Sequence, residues 1–125
     1  MGRPVVHFEV IGTDPAGLRD YYGGLFGWEF DTTGPVAPAV SDQGDYGFTD
    51  TGAAGGIPGG VGGGPGFDSH VVFYVGVPDV EEALRRAESL GGTRRMGPER
   101  APDRDLVVGQ FTDPEGNLIG VAGPA

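Results

Sequence analysis

The chain contains two histidines, His7 and His70, and no cysteine. Thiolate ligands and thiol nucleophiles are therefore absent, and acid–base or metal chemistry falls to imidazole and carboxylate groups. Glu9 stands two residues beyond His7 in the stretch HFEVIG. Residues i and i+2 of a strand share a face, so Glu9 points wherever His7 points. A His beside a buried Glu has the ingredients of an acid–base pair, which makes His7, Glu9 and His70 the candidate catalytic residues. The same three would resemble a two-histidine, one-carboxylate facial metal site. Donors two residues apart on a strand are about 7 Å apart, however, which strains convergence on one ion.

Both histidines open matching segments, HFEVIGTDPAGLRDYYGGLFGW and HVVFYVGVPDVEEALRRAESLGG, offset by 63 residues. Phe48-Thr49-Asp50 recurs as Phe111-Thr112-Asp113 at the same offset. Two separated landmarks with one offset indicate a module of about half the chain, present twice. In each half a β-rich strand (Val5–Ile11, His70–Val77) leads to an Asp suited to cap a helix, Asp14 or Asp79. Pro15 is tolerated in the first helical turn. Leu18, Tyr21, Tyr22, Leu25 and Phe26 follow at helical spacing, as do Val80, Ala83, Leu84, Ala87 and Leu90. The first apolar face, with Tyr21, Tyr22 and Trp28, is expected in the core, and Gly27 and Gly91 are expected to end the helices.

Shorter strands are expected after each helix. In the first half these are Trp28–Asp31, Val40–Ser41 or Tyr46–Thr49, and a stretch near Ala53–Ile57. In the second half they are Thr93–Met96, Leu106–Thr112 and Leu118–Val121. Asp113-Pro-Glu-Gly-Asn117 reads as a hairpin turn, which makes Glu115 a surface residue. The run from Gly55 to Gly66 holds no Lys-Ser/Thr and opens no helix, so it is a join with a Gly-rich strand and not a phosphate loop. One domain over residues 1–125 is expected, with modules at about 1–60 and 66–125.

Glycine and proline supply 26 and 11 of the 125 residues, a share at which disorder begins. Yet 38% of the chain is hydrophobic and 10% aromatic, in periodic runs that disordered chains lack. A net charge of −10, with Arg as the only cation, opposes a phosphate backbone and argues against nucleic-acid binding. The same field favours cationic ligands. No apolar run is long enough for a membrane span, and MGRPVVHFEV lacks the apolar stretch of a signal peptide, so a cytoplasmic protein is expected.

The opening His strand, Asp14 through Leu25–Trp28 (LFGW), the second His strand with VPDVEEAL, Leu90–Gly92 (LGG) and FTDPEGNLIG at 111–120 resemble the vicinal oxygen chelate superfamily. That group takes in glyoxalases, bleomycin-resistance proteins and extradiol dioxygenases. The resemblance spans nearly the whole chain. It implies an α+β fold of two tandem βαβββ modules forming a curved mixed sheet around a cavity, and a homodimer. It further implies a divalent cation held by one ligand from the first strand and one from the last strand of each module. His7 and His70 match the first-strand positions. The last-strand Glu is replaced by Gly120, and its first-half counterpart, sought near Gly55–Pro58, has no carboxylate.

Two imidazoles alone are too few for a divalent cation, so no metal or other cofactor is expected. Small-molecule binding is the preferred reading, with His7, Glu9, Trp28, Phe48, His70, Val72, Tyr74 and Leu118 lining the cavity. The alternative is a metal-dependent lyase, isomerase or dioxygenase using His7, His70 and Glu9, with the divalent ion as cofactor. A third reading is a packed-shut domain that serves partner association.

Overall fold

The computed structural model describes residues 2–125, in seven strands and two α-helices. Strand pairings are both parallel and antiparallel, the α+β arrangement expected. Two compact units are distinguished: His7–Val71, and Val72–Ala125 together with the residues up to Val6.

In the His7–Val71 unit, β1 (Val5–Gly12) runs into α1 (Pro15–Phe26), followed by β2 (Gly47–Thr49), a 3₁₀ turn at Thr51–Ala54 and β3 (Gly59–Gly63). β3 pairs parallel to β1, with Glu9 opposite Gly60, and antiparallel to β2, with Phe48 opposite Gly60. The Asp14 carboxylate accepts the Gly17 N–H at 3.1 Å, and Gly27 closes α1 at φ 73°, a left-handed conformation that glycine adopts without strain. Ile11, Val36, Ala37, Val40 and Val61 are buried.

Three expectations fail here. Trp28–Asp31 forms no strand: Asp31 alone bridges to Phe48, through reciprocal backbone bonds of 2.9 Å. The stretch near Ala53–Ile57 is likewise not a strand. Asp50 accepts the Gly52 N–H and starts the 3₁₀ turn, and Gly55 at φ 89° ends it. The helical apolar face is also not core throughout. Tyr21, Leu25 and Phe26 are exposed, and Pro15 is the buried residue of α1.

β4 (His70–Gly76), which enters the second unit at Val72, leads to α2 (Val80–Ser89), β5 (Thr93–Arg100), β6 (Val107–Thr112) and β7 (Leu118–Gly123). β7 is parallel to β4, with Gly120 opposite Tyr74, and antiparallel to β6, which pairs antiparallel to β5. Asp79 caps α2 through the Glu82 N–H at 3.0 Å, and Glu81 and Glu82 in the first turn complement the helix dipole. Val80, Leu84 and Val121 form the buried cluster under the helix. Arg94 grips both Glu81 carboxylate oxygens, at 2.9 and 2.7 Å, tying β5 to α2.

The turn at Asp113–Asn117 forms as expected. The Asp113 carboxylate accepts the Glu115 and Asn117 backbone N–H groups and the Asn117 side-chain amide. The Asn117 side chain, then its backbone N–H, holds the Asp113 carboxyl below the usual carboxylate range. A depressed folded-state value adds stability that is present above the unfolded value of about 3.9 and lost as pH falls through the folded one. The fall of the urea midpoint below about pH 4 is therefore expected to be shallower in Asp113→Asn. Equal acid limbs in the two proteins would show that the turn does not carry this linkage.

Candidate functional site

His7 and Glu9 lie on one face of β1, and a tyrosine joins them. The Tyr46 hydroxyl is 2.6 Å from His7 Nε2 and donates to Glu9 Oε2 at 3.1 Å. Glu9 is 4% exposed. An ionised carboxylate can only accept, so with Glu9 ionised the phenol proton goes to it and His7 donates from Nε2–H to the phenol oxygen. The imidazole also lies against the rings of Tyr46 and Phe48, with centroids 6.4 and 6.3 Å away and planes within 15° and 10°.

Tyr46 is held by the irregular segment between α1 and β2. The Ser41 hydroxyl, fully buried, accepts the Gly63 N–H at 2.9 Å and lies 3.1 Å from Gly63 O. Asp42 N–H donates to the same carbonyl at 2.9 Å, and Arg19 donates to Asp45 O. These bonds seat the Tyr46 ring flat over β3, where glycine makes the space. A Cβ at Gly60 would lie 2.1 Å from the ring, and one at Gly62 would lie 2.8 Å from it.

The second unit repeats the device. A Cβ at Gly120 would lie 2.4 Å from Tyr74 Cδ2. Tyr74 is 1% exposed and its hydroxyl accepts from Gln110 Nε2 at 2.8 Å. Val72 is 2% exposed, and Leu118, at the start of β7, is half-buried. His70 is half-buried, with Nδ1 2.8 Å from Asp68 O, so Nδ1 carries the hydrogen of that bond.

Next to His7, Phe48 forms part of an open groove of about 780 Å³ in the first unit. Its apolar wall comes from Phe26, Trp28, Phe30 and Phe48, and its carboxylates from Glu29, Asp31 and Asp50. Trp28 lies 5.1 Å from Phe26 and 5.3 Å from Phe8, ring centroid to centroid. Asp31 is held below the usual carboxylate range, first by the Thr33 hydroxyl and then by the Thr33 N–H. Nine of the eighteen carboxylate residues but only one of the eight arginines, Arg19, fall within His7–Val71. Negative charge is thus concentrated in the unit that carries the groove.

The structure therefore brings His7, Glu9 and Phe48 together around Tyr46, and places Trp28 with Phe48 along the groove. Sequence reasoning missed Tyr46, Gln110, and the groove residues Phe26, Phe30, Asp31 and Asp50. One signal was present for Tyr46. A buried strand made almost wholly of glycine implies that something bulky lies over it.

Among the described residues no group of three or more His, Asp or Glu is placed to hold a metal ion. The donors that do converge do not fit a cation. His7 Nε2 and Glu9 Oε2 are both bonded to the Tyr46 hydroxyl, and the side-chain space at Gly120 is filled by the Tyr74 ring.

These strand pairings and the two α-helices define a protein of the glyoxalase type. The family model for the Glyoxalase/Bleomycin resistance protein/Dioxygenase superfamily matches residues 5–121, and the chain belongs to that superfamily. Solved structures agree in fold. A hypothetical protein from Bacillus halodurans matches with a TM-score of 0.69 at 12% identity, covering 100% of this chain and 96% of its own. Methylmalonyl-CoA epimerase from Mycobacterium tuberculosis matches with 0.67 at 12%, covering 97% and 87%. A Streptomyces coelicolor methylmalonyl-CoA epimerase variant in complex with 2-nitronate-propionyl-CoA matches with 0.67 at 14%, covering 100% and 99%. No curated protein matches. No helix is long and apolar enough to cross a membrane.

Proposed function

We propose that this protein binds a small, planar, cationic organic molecule in the groove of its first unit, without a metal ion. The observation that carries this reading is the pairing of four aromatic side chains with three carboxylates along one groove, in the more acidic half of the chain. Its volume falls in the range of about 300–1,000 Å³ typical of small-molecule sites. Aromatic faces attract cations by about 0.5–2 kcal/mol each, and a net negative field raises the encounter rate of a cation. The His7 imidazole stacks 6.3 Å from the Phe48 ring that helps line the groove.

Trp28 is the single tryptophan, so its fluorescence reports the groove directly. Titration with 1-methylquinolinium is expected to quench it at least about tenfold more tightly than neutral quinoline at pH 8, with the difference shrinking at high salt. Asp31→Asn and Asp50→Asn keep an oxygen for Thr33 and Gly52 while removing charge. Each is expected to weaken the cation by roughly threefold and leave quinoline unchanged. Equal quenching by the two probes, or none below about 1 mM, would sink the cation reading.

A homodimer belongs to the same reading. Tyr21, Leu25 and Phe26, exposed together on α1, form the apolar face that a second copy would cover. Sedimentation of wild type against Leu25→Asp checks it, with loss of a dimer expected in the variant.

A further inference from the structure

The last-strand carboxylates expected from the family are missing here, and the same kind of contact fills their space in both units. In each, the last strand runs parallel to the first, and a glycine on it faces a tyrosine ring. Gly60 on β3 lies under Tyr46, and Gly120 on β7 lies under Tyr74. Both glycines sit on the strand from which a carboxylate would reach a cation. Each tyrosine hydroxyl is then used: Tyr46 bridges His7 and Glu9, and Tyr74 accepts from Gln110. Gly60 stands opposite Glu9 in the β1–β3 pairing, whereas Gly55–Pro58 precede β3.

We propose that the Tyr46 hydroxyl occupies the place of the cation, closing His7 and Glu9 into a phenol-bridged relay, with the two ring-over-glycine contacts excluding the missing carboxylates by volume. The bridging distances of 2.6 and 3.1 Å are those of hydrogen bonds. A phenol can accept from an imidazole N–H and donate to a buried carboxylate at the same time. The glycines are thus the counterpart of the tyrosines: a side chain at either position and the ring cannot coexist.

The test is calorimetric titration of Mn²⁺, Ni²⁺ and Zn²⁺ into wild type, Tyr46→Phe, and the double variant Tyr46→Ala with Gly60→Glu. Wild type is expected to give no binding tighter than about 1 mM. Tyr46→Phe removes the hydroxyl that His7 and Glu9 share and is expected to bind Zn²⁺ at least about tenfold more tightly. The double variant trades the ring for a carboxylate beside His7 and Glu9, and is expected to gain about a hundredfold. Adding His7→Ala should abolish either gain, which separates the site from the acidic surface. Circular dichroism verifies folding, and should the double variant not fold, Tyr46→Phe decides. Micromolar binding by wild type that Tyr46→Phe leaves unchanged would overturn the proposal. So would a folded Tyr46→Phe protein with no gain.

Discussion

Gly120→Ala is expected to cost about 3 kcal/mol of folding stability, the upper end for overpacking a core. The added methyl would fall 2.4 Å from Cδ2 and 2.6 Å from Cε2 of Tyr74. That ring has nowhere to go, being 1% exposed and anchored through its hydroxyl to the buried Gln110. Urea unfolding at constant m-value measures the loss. The cause is checked by a double-mutant cycle with Tyr74→Leu, a smaller side chain. The pair should cost less than the sum of the singles by more than about 1 kcal/mol, since one clash is removed twice. A loss below about 0.5 kcal/mol in Gly120→Ala would show that the strand yields, and the ring-over-glycine account would go with it.

The second large effect lies under α2. Leu84→Ala is expected to cost about 3–4 kcal/mol, combining lost apolar transfer with an unfilled cavity. Leu84 is fully buried against Val80 and Val121, with Phe111 nearby. Its Cδ1 reaches into space that Gly109 leaves open, only 2.8 Å from where a Cβ would stand. Leu90, one turn and a half further on and 68% exposed, is the control: Leu90→Ala should stay within about 0.5 kcal/mol. A Leu84→Ala loss below about 1.5 kcal/mol would mean that helix and sheet collapse onto the gap.

Much of the fold is legible in the sequence because its signals are local. Asp14 and Asp79 cap helices through their own neighbours, Gly27 needs a left-handed backbone, and Asp113–Asn117 closes on itself. The shared offset between the halves also marks the second-unit strands, since β4, β6 and β7 carry their own apolar residues. What failed depended on partners distant in the chain. Trp28–Asp31 looks like a strand, but only Asp31 finds a ladder neighbour. β5 runs on to Arg100 past Gly97 and Pro98, because shifts in its register with β6 absorb the two strand breakers.

The site divides along the same line. Glu9 beside His7 follows from strand alternation alone. Tyr46 does not, because it comes from an irregular segment whose course is set by Ser41, Asp42 and Asp45 bonding to groups elsewhere in the unit. Nor does the groove, whose carboxylates Asp31 and Asp50 flank Phe48 only after β2 has folded back. Periodicity marks which residues share a face. It is silent on which loop arrives above that face.

β3 has a bearing on how this protein can vary. Four of its five residues are glycine and all five are buried. An added Cβ would strike Phe8 from Gly59, Tyr46 from Gly60, Ser41 and Tyr46 from Gly62, and the backbone of Gly12 from Gly63. Exhaustive substitution along this segment would therefore find almost every codon change harmful at the glycines, while Val61 alone accepted trimming. Diversification toward new ligands must come from the rings laid across the strand, whose sizes are free to shrink where the strand's are not free to grow.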